Sequence, residues 1–152
     1  MCTSFMGELM TATHNFGTAP TRGTSAADTF KGALYLASAT YDAATTAYSV
    51  TGEVSGTGYS AGGVTVTNAN PPVATNASAT AGVAYWTPSA SLTYTSVTLT
   101  TAFDAVLIYN SSQSNKAVSV HTFGSQTITA GTFTLTMPAS TTTTALLRLA
   151  TT

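Results

Sequence analysis

Leu92-Thr93-Tyr94-Thr95-Ser96-Val97-Thr98-Leu99 is the stretch that decides the fold. Its apolar residues fall at 92 and 94, then at 97 and 99, the period of two that a half-buried strand requires. The alternation slips by one residue near Ser96, which predicts a β-bulge or bend there. Threonine fills the intervening places. It is β-branched, so it holds the backbone extended.

The same grammar extends in both directions. Phe30, Gly32, Leu34 and Leu36 alternate with Lys31, Ala33 and Tyr35, and Val64 and Val66 alternate with Thr65 and Thr67. Asn70-Pro71-Pro72 stops that strand, because proline has no amide hydrogen for a ladder. Val83 to Thr87 forms a short strand ended by Pro88. Ala105 to Tyr109 is continuously apolar, as in a central strand covered on both faces. Asn110 to Asn115 is a hairpin loop, and Val118 and Val120 continue a return strand toward Phe123. Ile128, Phe133, Leu135 and Met137 define another strand after a turn at Ala130-Gly131, Ser140 to Thr144 is a loop, and Leu147 and Leu149 close the chain. In Thr132-Phe133-Thr134-Leu135-Thr136 the threonines take the face opposite Phe133 and Leu135. At the other end, Phe5 and Leu9, with Met6 and Met10, sit four apart and predict one or two helical turns. The expectation is an all-β, single-domain antiparallel sandwich or jelly-roll-like fold of eight or nine strands. Residues 1–27 form an N-terminal arm or short helix and loop, and 28–152 the sandwich.

Composition bounds the function. The 152 residues hold four Lys or Arg and five Asp or Glu, 6% charged, where soluble domains carry roughly 25%. Thirty-four threonines and sixteen serines stand in their place. Such a chain lacks the net charge that keeps free monomers apart and suits packing against copies of itself or a partner. The cations Arg22, Lys31, Lys116 and Arg148 are scattered, which argues against nucleic acid. The single cysteine, Cys2, excludes an intrachain disulfide and reads as a thiol near the terminus, with a disulfide between chains the other possibility. No apolar run reaches the ~18 residues of a membrane span. The first residues, MCTSFMGELM, lack a basic n-region and carry Glu8, a poor signal peptide.

Chemistry is sparse. His14 and His121 are the only imidazoles, and no Gly-x-Ser-x-Gly elbow accompanies them. Glu8, Asp28, Asp42, Glu53 and Asp104 are far apart in sequence. No Cys/His cluster suits zinc, no Asp-x-Asp-x-Asp loop suits calcium, and the glycines lack the Gly-Lys-Ser/Thr of a phosphate loop. No enzyme activity, cofactor, metal or small-molecule substrate is expected. Trp86, beside Tyr85, reads as core or interface, or as a platform for stacking on sugar.

The long segment 38–63 is rich in Ala, Thr, Ser and Gly, and carries Tyr41, Tyr48 and Tyr59. A loop of that length inside a compact domain tends to be functional. Its glycines 52, 56, 58, 62 and 63 permit positive φ, so the backbone turns sharply or lies close to another chain. Val54 and Tyr59 are its apolar anchors. Glu53 is its one charge apart from Asp42, expected to pair with Lys31 or Arg22, to cap an amide, or to contact a neighbour.

Asp28-Thr-Phe-Lys-Gly-Ala-Leu-Tyr35, then Thr51-Gly-Glu-Val-Ser-Gly-Thr-Gly-Tyr-Ser-Ala-Gly-Gly63, then Ala105 to Tyr109 followed by Asn110 to Val118, occur in order. Together they resemble a family of small β-rich virion structural proteins of tailed bacteriophages. The resemblance runs from about residue 28 to 137. It implies a virion protein assembled in the host bacterial cytoplasm, with no catalytic residues to carry over. Within that setting the expectation is a capsid decoration or cement protein, partnered by itself and by other virion proteins, the major capsid protein first. Tyr41, Tyr48, Glu53 and Tyr59 are its expected subunit or partner contacts. A tail, fibre or baseplate component is the alternative, and a carbohydrate-binding module for host attachment is the alternative of another class.

Overall fold

The computed structural model describes residues 1–10, 13–16, 27–68, 72–75 and 82–150. Among the described residues helix α1 (Thr3–Met10) precedes seven strands: β1 (Phe30–Leu36), β2 (Val64–Thr65), β3 (Val73–Thr75), β4 (Val83–Trp86), β5 (Leu92–Asn110), β6 (Lys116–Leu135) and β7 (Leu147–Ala150). They form two antiparallel sheets, one in the order β2-β1-β5-β6, the other β3-β4-β7. The all-β class, the antiparallel pairing and the short N-terminal helix are as the sequence pattern predicts. Asn70 and Pro71 lie outside the described residues.

The strand count differs, and the reason is physical. The two runs expected at 92–99 and 105–109 are one strand, β5, and the two expected on either side of Gly124 are one strand, β6. Ala130-Gly131 is no turn. Ala130 has φ 48° and donates its amide to Thr98 Oγ1, while Gly131 stays paired with Val97, so the residue is a bulge inside a continuing ladder. The expected bend at Ser96 is present, with φ 54° and a register shift between Tyr94 and Val97. Each bulge breaks the period of two, and a broken period reads as a chain break.

The bulges fold the β5–β6 hairpin over on itself. A straight strand rises about 3.3 Å per residue, which would carry Leu92 roughly 46 Å from Val106. Yet a Cβ built on Gly32 of β1 would lie 2.5 Å from the Leu92 side chain and 3.5 Å from that of Val106. The distal half of the hairpin therefore curls back across β1. Leu92, Tyr94, Val97, Leu99 and Phe103 are thereby buried with Ala33, Leu34, Val106, Leu107 and Ile108 in one core. A larger side chain than glycine at position 32 has no room under this curl.

Phe30 and Tyr35 project from opposite faces of β1, and each face is covered differently. Phe30 stacks on Phe16 at 4.4 Å between ring centroids, and Phe16 meets Trp86 of the smaller sheet at 4.7 Å. Tyr35 lies under Tyr41, 3.6 Å between centroids, and Tyr109 lies under Tyr48 at 4.7 Å. The long loop is thus a cover for the sheet. Cys2 is fully buried, burial pushes its thiol up, and its amide donates to Val118 of β6. A disulfide between chains through Cys2 is incompatible with that position.

Candidate functional site

Residues 52–66 run along the outer edge of β1, beginning and ending as ladder. Leu36 N–H donates to Gly52 O, Val54 N–H to Leu34 O, and Val66 N–H to Phe30 O. Between Val54 and Gly62 the chain leaves that edge to reach β5, where Thr98 N–H donates to Thr57 O. Glycine is required where the backbones touch. A Cβ at Gly56 would lie 2.0 Å from Thr98 O, at Gly58 2.2 Å from Ser96 O, and at Gly63 1.7 Å from Gly32 O. The expected alternatives were sharp turns or a close approach to another chain, and the close approach that the structure shows is to β1 and β5 of the same chain.

Glu53 closes the base of the excursion. Oε1 accepts from the Tyr59 hydroxyl at 2.7 Å and from Gly62 N–H at 2.8 Å, and Oε2 accepts from the Tyr48 hydroxyl at 2.7 Å. The residue is 7% exposed. The Tyr59 hydroxyl also accepts from Leu34 N–H at 3.0 Å, which satisfies the β1 donor the departing loop leaves open. Tyr109 donates to Gly62 O and Tyr94 to Gly32 O. Burial, and then the hydrogen bond to Glu53, push the Tyr48 and Tyr59 hydroxyls far above the ordinary tyrosine range, so both stay protonated donors. Of the partners foreseen for Glu53, the amide cap is made, at Gly62, and Lys31 is not paired with it, while Arg22 lies outside the described residues. The tyrosines were not foreseen.

The structure thus brings three of the four expected contact residues together, Tyr48, Glu53 and Tyr59, with their polar ends turned inward. Tyr41 stands apart, donating to Thr51 O at 2.9 Å over the Tyr35 ring. All three tyrosines are half-buried. Val50 beside them is 67% exposed.

A second polar network, without any local signal in the sequence, ties α1 to the β5–β6 turn. Glu8 Oε1 accepts from Lys116 Nζ at 2.8 Å, and Oε2 meets His14 Nε2 at 2.7 Å. Asn110, fully buried, donates through Nδ2 to His14 Nδ1 at 3.0 Å and to Asp28 Oδ2 at 2.8 Å. Its Oδ1 accepts from Ser112 N–H, which fixes the amide orientation. His14 Nδ1 is therefore an acceptor, and the ring proton lies on Nε2 facing Glu8. Both imidazole nitrogens are occupied, so the group is arranged as a strut and offers no free nitrogen to a substrate. Burial pushes the Glu8 carboxyl up, and the bonds from Lys116 and His14 outweigh it, leaving the group below its ordinary value.

Stability is expected to fall as pH falls from 7 to 4. Burial, with the amino terminus second, lowers His121 from 6.5 to about 4. Between those values the unfolded chain binds a proton that the folded chain refuses, so stability is present above 6.5 and lost toward 4. The ring is partly exposed, which limits the effect to about 1–2 kcal/mol. Glu8, lowered from its ordinary 4.5, adds a loss below that value of the same sign. Melting curves of His121→Asn between pH 7 and 4.5 check this. The variant should lose most of the pH dependence, and an unchanged slope would assign it elsewhere.

Trp86 is 3% exposed, with Nε1 donating to Asn68 Oδ1 at 2.8 Å. It borders an apolar cleft of about 100 Å³ with Phe5, Leu9, Phe16 and Leu147, well under the ~300 Å³ of a typical ligand pocket. The indole face that would stack on sugar is inside the core. Among the described residues, no group of three or more His, Cys, Asp or Glu side chains is placed to hold a metal ion, and no helix is long and apolar enough to cross a membrane. What the surface offers instead is hydroxyl. Thr93, Thr95, Thr100, Thr127, Thr132 and Thr134 are exposed along the β5–β6 ribbon, with Thr93 directly opposite Thr134. No family model, no curated protein and no solved structure matches this chain. The phage-virion resemblance accordingly rests on its own three segments.

Proposed function

We propose that this chain is a non-enzymatic structural protein of a tailed-phage virion, packed in many copies on the capsid surface as a decoration or cement protein. The observation that carries this reading is the exposed face of the β5–β6 ribbon, an array of threonine hydroxyls. Such a face meets protein at small desolvation cost, because no ion has to be stripped of water. The scarce charged groups are largely spent internally. Glu53 is enclosed, Lys116 is paired with Glu8, and Arg148 Nη1 donates to Thr143 O. The virion setting comes from the resemblance, and its three segments form one unit in the fold. Asp28 of the first accepts from Asn110 and Gln113 of the third, and Tyr59 of the second holds Leu34 of the first. The half-buried rings of Tyr41, Tyr48 and Tyr59, with exposed Val50, are the proposed contact with the capsid protein.

Reattachment to particles tests this. Capsids stripped of the protein should take it back on the head and gain resistance to heat. Binding confined to the tail would favour a tail or fibre role, and no binding to any part of the particle would overturn the virion assignment.

A further inference from the structure

β6 is the last strand of its sheet, and its outer edge is covered only at the start. Ala117 N–H donates to Thr46 O, Cys2 N–H donates to Val118 O, and Ala47 bridges Lys116. The Cys2 thiol also accepts from the Val120 amide, and from His121 to Leu135 no described residue of another element pairs with that edge. Natural edge strands are protected by lysine, proline, brevity, bulges or a covering loop, and β6 has the bulges and the covered start but neither of the residue types. Here Ser119 to Leu135 contains no Lys, Arg, Asp, Glu or Pro. Its most exposed run, Ser125-Gln126-Thr127-Ile128-Thr129, lies between the irregularities near Gly124 and Ala130. Phe123, Ile128, Phe133 and Leu135 are half-buried against the core.

We infer that this edge is an interface at which a second copy of the chain adds its own β6, antiparallel, about a two-fold axis at Thr127. The occupant follows from the edge itself. Self-pairing at Thr127 sets Ser125 against Thr129 and Thr127 against its own copy, so hydroxyls face hydroxyls and no charge meets a like charge. The same register sets Ile128 of one copy against Gln126 of the other, a polar but uncharged partner. The inference deepens the packing part of the proposed function by naming the surface through which copies join.

Two measurements test it. By light scattering, the intact protein should show twice the chain mass, and Ser125→Lys/Thr127→Lys/Thr129→Lys should show the single-chain mass with an unchanged circular dichroism spectrum. These side chains are exposed or at the edge, so the fold tolerates the change. Under mild oxidation Thr127→Cys should cross-link into a dimer, because residues on the axis bring their Cα atoms within disulfide reach. Thr40→Cys, exposed elsewhere, should cross-link far less. A wild-type monomer at high concentration, or a lysine variant that keeps the double mass, overturns the inference. Particle incorporation separates the two proposals. A monomeric lysine variant still built into heads leaves the virion reading intact with another interface between copies, whereas a dimer found in no particle leaves the edge intact and removes the virion reading.

Discussion

Replacing Gly63 by alanine is expected to destabilise the protein by at least about 3 kcal/mol, in the range that only severe core or backbone faults reach. Two causes add. Gly63 has φ 70°, where an L side chain costs about 1–2 kcal/mol. The new methyl would also lie 1.7 Å from Gly32 O, and that neighbour is backbone on a buried strand, unable to swing aside. Gly32 O is the acceptor of the Tyr94 hydroxyl, so moving it breaks a buried hydrogen bond as well. At about 2–4 °C per kcal/mol for a chain of this size, the melting temperature should fall by about 6–12 °C or more. Gly124→Ala is the matched control. Nothing lies within 4 Å of its Cβ, and stability should hold or rise by up to about 1 kcal/mol. Near-equal melting temperatures for the two variants would show that the glycine segment is not seated on β1.

Glu53→Ala should cost about 3–4 kcal/mol, because it removes the acceptor of three donors at once. The Tyr59 hydroxyl and Gly62 N–H are left in places water reaches poorly, each with an unmet hydrogen bond. Glu53→Gln should cost about 1–2 kcal/mol, since the amide keeps one acceptor oxygen and the Tyr48 hydroxyl can rotate to accept from its NH2. Urea unfolding gives these values. Hydrogen exchange locates them, with Gly62 and Leu34 amides losing protection first. The pair Glu53→Ala and Tyr59→Phe should be strongly non-additive. A Glu53→Ala variant within 1 kcal/mol of wild type would mean that the carboxylate does not hold the loop.

The parts of the fold legible in the sequence are those with a local period or a local steric need. β1, the bend at Ser96 and the glycine contacts are of this kind, because alternation and missing Cβ atoms are written where they act. The continuity of β5 and β6 was hidden, because the bulges that let a long hairpin curl over Gly32 erase the alternation that would identify it. β3 was missed because three residues carry no period. Tyr41, Tyr48, Glu53 and Tyr59 stand out in the sequence as one segment's aromatic and charged residues, and three of them, Tyr48, Glu53 and Tyr59, meet in the fold. Their inward direction depends on β1 passing beneath them, which no local pattern states. The Lys116–Glu8–His14–Asn110–Asp28 network is made of bonds that span up to 108 residues and leaves no trace in spacing.

The central claim is that the chain works by packing in many copies on the capsid and not by chemistry. Quantitative mass spectrometry of purified particles tests it most directly, read as the ratio of this chain to the major capsid protein. A ratio on the order of one, lost together with the heads when heads and tails are separated, is the predicted result. A few copies per particle, or copies that stay with the tails, would contradict it.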